Sequence, residues 1–275
     1  MNHSKVDKIF DFNIHLPKLN SNTVNSLVQT EMNATPKDLI TRFDDSSFIK
    51  NIDGANLMLF NSDFFNTNDS FVKHVKSKLK QSSFTLLIDF RNDNWAEHIN
   101  NGIDAGINCI KFHSYQQQIT HTDYEKIIEI CTYAESKKLI ICLDGSYGTS
   151  NMVKYDIVDF ICAIANKIEK TPIVVLHSGG LKCMEIMLLA LDKKNIYLET
   201  SVTLHFYQGS SIEKDLAFIY KKIESHKILF ASDSPYFNFE ETRSSSIDFF
   251  TKNNFKDKVM EDIFYHNAVN LLNQT

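Results

Sequence analysis

None of the five cysteines of this chain stands in a CxxC pair. Cys109, Cys131, Cys142, Cys162 and Cys183 are scattered and odd in number. That excludes a disulfide framework and predicts reduced, mostly buried thiols in a cytoplasmic protein. An excess of one charge is lacking too. The 29 Lys and Arg are interspersed among 34 Asp and Glu, the formal net charge is −5, and no basic stretch offers a nucleic-acid footprint. Long apolar runs are absent. The longest, such as LIICL at 139–143, are too short to cross a bilayer, and MNHSKVDKIF at the start has no apolar segment of the signal-peptide kind. Nor is there an internal repeat, a linker or a low-complexity tract, so residues 1–275 read as one domain.

What is present is a chain of 275 residues, 43% hydrophobic and 23% charged, which is enough for a large core without cross-links. Its first strand-like stretch, IFDFNIHL at 9–16, alternates apolar residues with Asp11, Asn13 and His15. Alternation at period two marks a strand with two different faces, and here one face carries an acid, an amide and an imidazole in a row. Seven further β-rich runs follow: GANLMLF, FTLLIDF, GINCIKFH, KLIICLDG, TPIVVLHSG, NIYLETS and KILFASD. Between most of them lie segments with helical spacing. Thr35 and Pro36 give a cap and a first helical position, and Ile127, Ile128, Cys131 and Ala134 share one face of the helix expected over 120–138. The helical spacing recurs over 156–168, 181–194 and 212–226, and residues 260–274 read as a closing amphipathic helix.

Eight strands alternating with helices imply parallel strands joined by crossovers, and runs such as PIVVL fit strands buried on both faces. The length suits an α/β fold of the (β/α)₈ TIM-barrel type. A doubly wound open sheet is the rival, but no Gly-rich phosphate turn follows the first strand. Connections leaving the strands, at 17–34, 61–69, 145–154, 202–211 and 234–246, are long and polar, whereas most connections leading into strands are short. In a barrel the former build the active site and the latter close the bottom.

The strand ends then line up. The first carries Asp11, Asn13 and His15, and the third ends in Asp89 followed by Arg91. The fourth ends with Lys111 and His113, the fifth at Asp144, the sixth at His177, the seventh at Glu199 and the eighth at Asp233. In a barrel these groups converge on one mouth. Imidazole, carboxylate and amide oxygen at close quarters are the parts of a divalent-metal site or of an acid–base site.

The segments DFNIH, CIKFHSYQQ, IICLDG, VVLHSGG, NIYLETS, FASDSPY and YHNAVNLL together resemble the amidohydrolase superfamily. The similarity is to its amidohydrolase-related branch, which holds aminocarboxymuconate-semialdehyde decarboxylase and pyrone-dicarboxylate lactonase, and it covers almost the whole chain in order and spacing. The resemblance implies metal ligands at both His of a D-x-H-x-H first strand, at a His ending strand five and at an Asp ending strand eight, with the His of strand six polarising or positioning substrate. His15, His177 and Asp233 match. Asn13 and Asp144 stand where the family has His. The implied metal set is therefore His15, Asn13, Asp144 and Asp233. Such an oxygen-rich set suits zinc poorly, so a divalent metal, Zn or Mn, is expected to be weakly bound or absent. Some lactonases of the branch work without metal.

The expected catalytic residues are Asp233 as ligand or general base, His177 as the group that polarises the substrate oxygen, and Lys111. Lys111 is read either as binding a substrate carboxylate or as pairing with Asp144 or Glu199. Arg91, His113, Glu199 and His205 are the expected substrate-binding residues. Of these, Arg91, His113 and His205 would form with Arg243 a cationic rim for an anionic substrate, though each alone also reads as an ordinary solvated charge. Trp95 reads as packing. The expected activity is hydrolysis of a small polar substrate, a carboxylate or a sugar derivative. The alternatives are a decarboxylase or other lyase on the same scaffold, and a non-catalytic barrel that has lost its metal. The expected partners are the small-molecule substrate and, at most, a second copy of the chain, with no nucleic acid and no membrane.

Overall fold

The structure, a computed structural model, describes residues 6–16, 34–60, 70–146, 150 and 152–274. The connections expected over 17–33 and 61–69, and parts of the one over 145–154, lie outside the described residues.

Eight strands form one sheet in sequence order, and every adjacent pair is parallel. They are β1 (Phe10–Ile14), β2 (Gly54–Leu59), β3 (Gln81–Leu87), β4 (Cys109–Phe112), β5 (Ile140–Asp144), β6 (Ile173–Leu176), β7 (Ile196–Glu199) and β8 (Ile228–Leu229). Backbone hydrogen bonds join β1 to the chain following β8: Phe12 N–H to Phe230 O (3.0 Å), Asp233 N–H to Asn13 O (2.8 Å) and His15 N–H to Ser234 O (2.7 Å). These bonds bring the first and last strands together, as the (β/α)₈ expectation requires.

Period-two alternation divides each strand between two environments. Leu57, Leu86, Ile110, Ile141, Val175 and Leu198 belong to one large apolar core shared with the surrounding helices. Fully burying one such side chain contributes about 1.5–3 kcal/mol, so this face fixes each strand's register. The opposite face changes character along the barrel axis. On β5, Ile140 and Cys142 are packed in a second apolar cluster with Cys109 of β4, and the next residue of that parity is Asp144. On β4 the sequence Cys109, Lys111, His113 makes the same change, and Lys111 pairs in register with Cys142.

Helix starts follow local chemistry. Thr35 and Asp38 make a reciprocal capping box ahead of the helix Pro36–Asp44, and Asp156 and Ser210 cap Ile157–Ala165 and Ser211–Lys222. Helices over Ser70–Lys78, Trp95–Ala105, Tyr124–Ser136 and Cys183–Asp192 complete the alternation. Trp95 packs edge-on against Tyr133 with ring centroids 5.4 Å apart, as its packing role anticipated. Three features differ from the sequence reading. β3 ends at Leu87 and β8 at Leu229, so Asp89, Arg91 and Asp233 lie beyond their strands. The polar stretch over 234–246 becomes helical from Phe239, in a helix that runs to Lys252. Its start is set by Asn238, whose side chain accepts from the N–H groups of Glu240 and Glu241. The closing helix is interrupted by a π-helical turn over Asp262–His266. Among the described residues no helix is long and apolar enough to cross a membrane.

Candidate active site

Three strand exits share an unusual backbone. His177 and Ser178 after β6, Val202 after β7 and Asp233 after β8 all have positive φ, at 58°, 48°, 59° and 57°. Left-handed backbone is uncommon for side chains with a Cβ and worst for a β-branched residue such as Val202. Each such residue costs on the order of 1–3 kcal/mol, and strain of this kind clusters where a fold aims side chains at a site. Gly179 follows with φ +81°, and a Cβ there would lie 2.4 Å from Ile186, so the turn after His177 needs a glycine for space as well as for conformation.

At the mouth the structure brings Lys111, His113, Asp144 and His177 together around one carboxylate oxygen. Asp144 Oδ2 lies 3.4 Å from Lys111 Nζ, 3.2 Å from His113 Nε2 and 3.3 Å from His177 Nε2. Its other oxygen accepts from the N–H of Ser146 at 3.0 Å and from the Ser146 hydroxyl. Asp144 is 1% exposed and Lys111 3%. Burial opposes ionisation of Asp144, but the basic neighbours His113, His177 and Lys111 override it and hold the carboxyl well below the usual aspartate range. Burial also pulls His113 down to about 3, so at neutral pH this ring is uncharged and the cations facing Asp144 are Lys111 and His177. His177 moves the other way. Burial would lower it, yet Asp144 beside it raises it to about 9, which leaves an imidazolium in the mouth at neutral pH.

A second pair lies near enough to this cluster to share its field, His15 with Lys111 and His177, and Asp233 with His113 and His177. His15 Nε2 lies 3.5 Å from Asp233 Oδ1. The His15 ring stacks on Phe60 at 5.0 Å between centroids and meets Tyr236 edge-on at 5.6 Å. Burial lowers His15, so it is neutral at pH 7. Among the described residues its Nδ1 has no hydrogen-bond partner, and neither do Asn13 Oδ1 and His113 Nδ1.

Beside His177 lies Glu199, fully buried and raised by that burial. It accepts from the His177 N–H at 3.1 Å, from Asn13 Nδ2 at 3.3 Å and from the Ser201 N–H. Glu199 thus supports the sixth strand exit. Asp11 plays a similar part at the junction of β1 and β8. It accepts from the Ser232 N–H at 3.0 Å, from the Ser232 hydroxyl and from the Asn13 N–H at 3.2 Å, and burial pushes it up to about 7.

The four residues expected around a metal do not meet. His15 and Asp233 face each other, but Asp144 is engaged by Lys111, the two imidazoles and Ser146, and Asn13 turns its Nδ2 to Glu199 and Ser201. Among the described residues no three His, Cys, Asp or Glu side chains are grouped to hold a metal ion. The donor chemistry points the same way, since Lys111 Nζ already sets an ammonium against the Asp144 carboxylate that a divalent cation would need. The set as arranged does not fit a resident metal.

The expected cationic rim is mostly engaged elsewhere. The Arg91 guanidinium bonds the carbonyls of Gln117 and Gln118, pairs with Asp123 at 3.3 Å and lies over the Phe90 ring. Arg243 pairs with Glu240 one helical turn away at 3.2 Å. His205 bonds Ser245 and meets Phe237 edge-on. Only His113 joins the mouth cluster. Residues the sequence did not single out are Ser146, Ser201 and Ser232, each hydrogen-bonded to an acid of this region. Their signal was position alone: each follows an acidic strand end or precedes one by a residue or two.

The sequence pattern of the Amidohydrolase family matches residues 129–274. No curated protein sequence matches the chain. Among solved structures, the uncharacterised TIM-barrel protein Bb4693 from Bordetella bronchiseptica superposes with a TM-score of 0.72 at 15% identity, covering 97% of this chain and 99% of that one. A probable 2-pyrone-4,6-dicarboxylic acid hydrolase from Acinetobacter baumannii, solved with citric acid bound, gives 0.62 at 16% identity over 97% and 99%. The 5-carboxyvanillate decarboxylase LigW from Sphingomonas paucimobilis gives 0.60 at 9% over 98% and 99%. At these identities the likeness is one of fold.

Proposed function

Because the chain belongs to the amidohydrolase family, we propose that it is a hydrolase of the amidohydrolase-related branch, acting on a small polar substrate that carries a carboxylate, and that Asp233 is its general base. The observation that carries the reading is the division of charge in the mouth. Asp233 faces a neutral His15 on one side, while Asp144 on the other is held among Lys111, His113 and His177. In this mechanism a water held by the Asp233 carboxylate gives up a proton as its oxygen attacks the carbonyl carbon. Negative charge then grows on the former carbonyl oxygen, and the His177 imidazolium lies on the side of the mouth that can accept it. Lys111 binds the substrate carboxylate, exchanging part of its contact with Asp144 for one with the ligand. The proton taken by Asp233 returns to the leaving oxygen or nitrogen.

The same cations would serve a lyase that stabilises a carboxylate before it departs. The two readings are separated by product: a panel of lactones, esters and amides bearing a carboxylate, set beside acyclic carboxylic acids, is assayed for acid release and for carbon dioxide. Hydrolysis of at least one of the first group without carbon dioxide is expected. Carbon dioxide release from the second group, with no hydrolysis, would replace the hydrolase reading with the lyase.

A further inference from the structure

His177 has two ring nitrogens, and they face different surroundings. Nε2 faces Asp144 at 3.3 Å, and Nδ1 lies 2.9 Å from Ser201 Oγ. Ser201 is fully buried, and its oxygen also takes a hydrogen bond from Asn13 Nδ2 at 3.3 Å. The other Asn13 amide proton reaches Glu199 Oε2 at the same distance. The Ser201 N–H in turn donates to the Glu199 carboxyl. A hydroxyl has one proton to give and two lone pairs to fill. With Asn13 and the His177 Nδ1–H donating to Ser201, both lone pairs of its hydroxyl are filled.

We propose that Ser201, clamped by Asn13 and Glu199, is a positioning residue that fixes the His177 ring through Nδ1 so that Nε2 is presented at the mouth. The inference rests on the reading of His177 as the group that stabilises developing charge. It also gives Asn13 a part that does not involve a metal. An imidazole turned by half a rotation about its Cβ–Cγ bond puts carbon where nitrogen was, and only a bond to one named nitrogen discriminates the two orientations. Glu199 anchors the backbone of the same residue through the His177 N–H, and the Thr203 hydroxyl donates to its carbonyl. Main chain and ring are thus fixed by one buried group that reaches from β1 to the β6 and β7 exits.

The test reads the ring directly. Long-range ¹H–¹⁵N spectra of the full-length ¹⁵N-labelled chain are recorded without substrate, and His177→Gln identifies the His177 signals by their loss. Ser201→Ala should shift the Nδ1 resonance and broaden both nitrogens, and Ser201→Thr, which keeps the hydroxyl, should restore them. Ser201→Cys, close in shape but with a weak sulfur partner, gives the same reading if the alanine variant does not fold. An unchanged Nδ1 resonance in a folded Ser201→Ala or Ser201→Cys protein would overturn the proposal. The spectra need no turnover, so they decide the position of the ring even if no hydrolysed substrate is found. With a substrate in hand, Ser201→Ala should lower kcat by roughly 10–100-fold with KM nearly constant, and Ser201→Thr should recover it. An unchanged kcat would count against positioning.

Discussion

Lys111→Met should destabilise the protein far more than an ordinary lysine substitution, and Asp144 is the reason. The two groups are 3.4 Å apart and almost wholly buried. Methionine fills much of the lysine stem's volume, so the packing loss is small. What remains is a carboxylate out of contact with water and deprived of one of its two cations. Removing one member of a buried pair typically costs about 3–5 kcal/mol. The His177 imidazolium stays beside Asp144 and holds the loss to the lower end, about 3 kcal/mol. At roughly 2–4 °C per kcal/mol for a large domain, the melting temperature should fall by roughly 6–12 °C. The sign with pH follows from the depressed Asp144 carboxyl. In the wild type its stabilisation is present above the unfolded value near 4 and is lost as pH falls through the lower folded value. In the variant the folded value rises, so the deficit should be largest near pH 7 and shrink as pH falls towards 4. Adding Asp144→Asn to Lys111→Met should recover at least half of the loss, the coupling expected for groups in contact. A single-variant deficit under about 1 kcal/mol, independent of pH and not relieved in the double variant, would refute the claim that Lys111 and Asp144 form a buried pair.

Protein purified without chelators should hold far less than one zinc or manganese ion per chain, and chelation should leave its melting temperature unchanged; stoichiometric zinc that survives mild chelation would contradict the donor arrangement. Asp11 is raised to about 7, so the unfolded chain ionises first and the contribution of Asp11 to stability should decline as pH rises from about 4 to 7, by up to ~4 kcal/mol, while the lowered His113 contributes in the opposite direction. Asp11→Asn should flatten that decline in denaturant titrations at several pH values. Arg91→Ala should leave KM for an anionic substrate within about twofold and cost under about 1 kcal/mol of stability, because its guanidinium is spent on Gln117, Gln118 and an exposed pair with Asp123.

The barrel was legible because each strand carries its own signal. Alternation and β-branched runs mark the strands, and Thr35 with Pro36 marks a helix start. The convergence of Lys111, His113, Asp144 and His177 followed from their common place at strand ends. Depth did not follow, since period two tells inside from outside but not top from bottom. Glu199 accepts from the main chain of His177 and from Asn13, and Arg91 is held by Gln117, Gln118 and Asp123, partners that strand patterning does not reveal. The left-handed backbone at Ser178 and Val202 was also hidden, since neither residue favours it locally. The helix from Phe239 did have a local signal, an Asn cap followed by two acids, which a polar composition masked.

The central claim is that Asp233 activates water at this mouth, and turnover by Asp233→Asn tests it most directly. The amide has the carboxylate's shape but cannot take a proton near neutral pH. With a chelator present and a carboxylate-bearing lactone or ester that the wild type hydrolyses, the variant should lose ~10²–10⁴-fold in kcat while melting within a few degrees of the wild type. Hydrolysis at the wild-type rate by the folded variant would contradict the claim and remove Asp233 from the reaction.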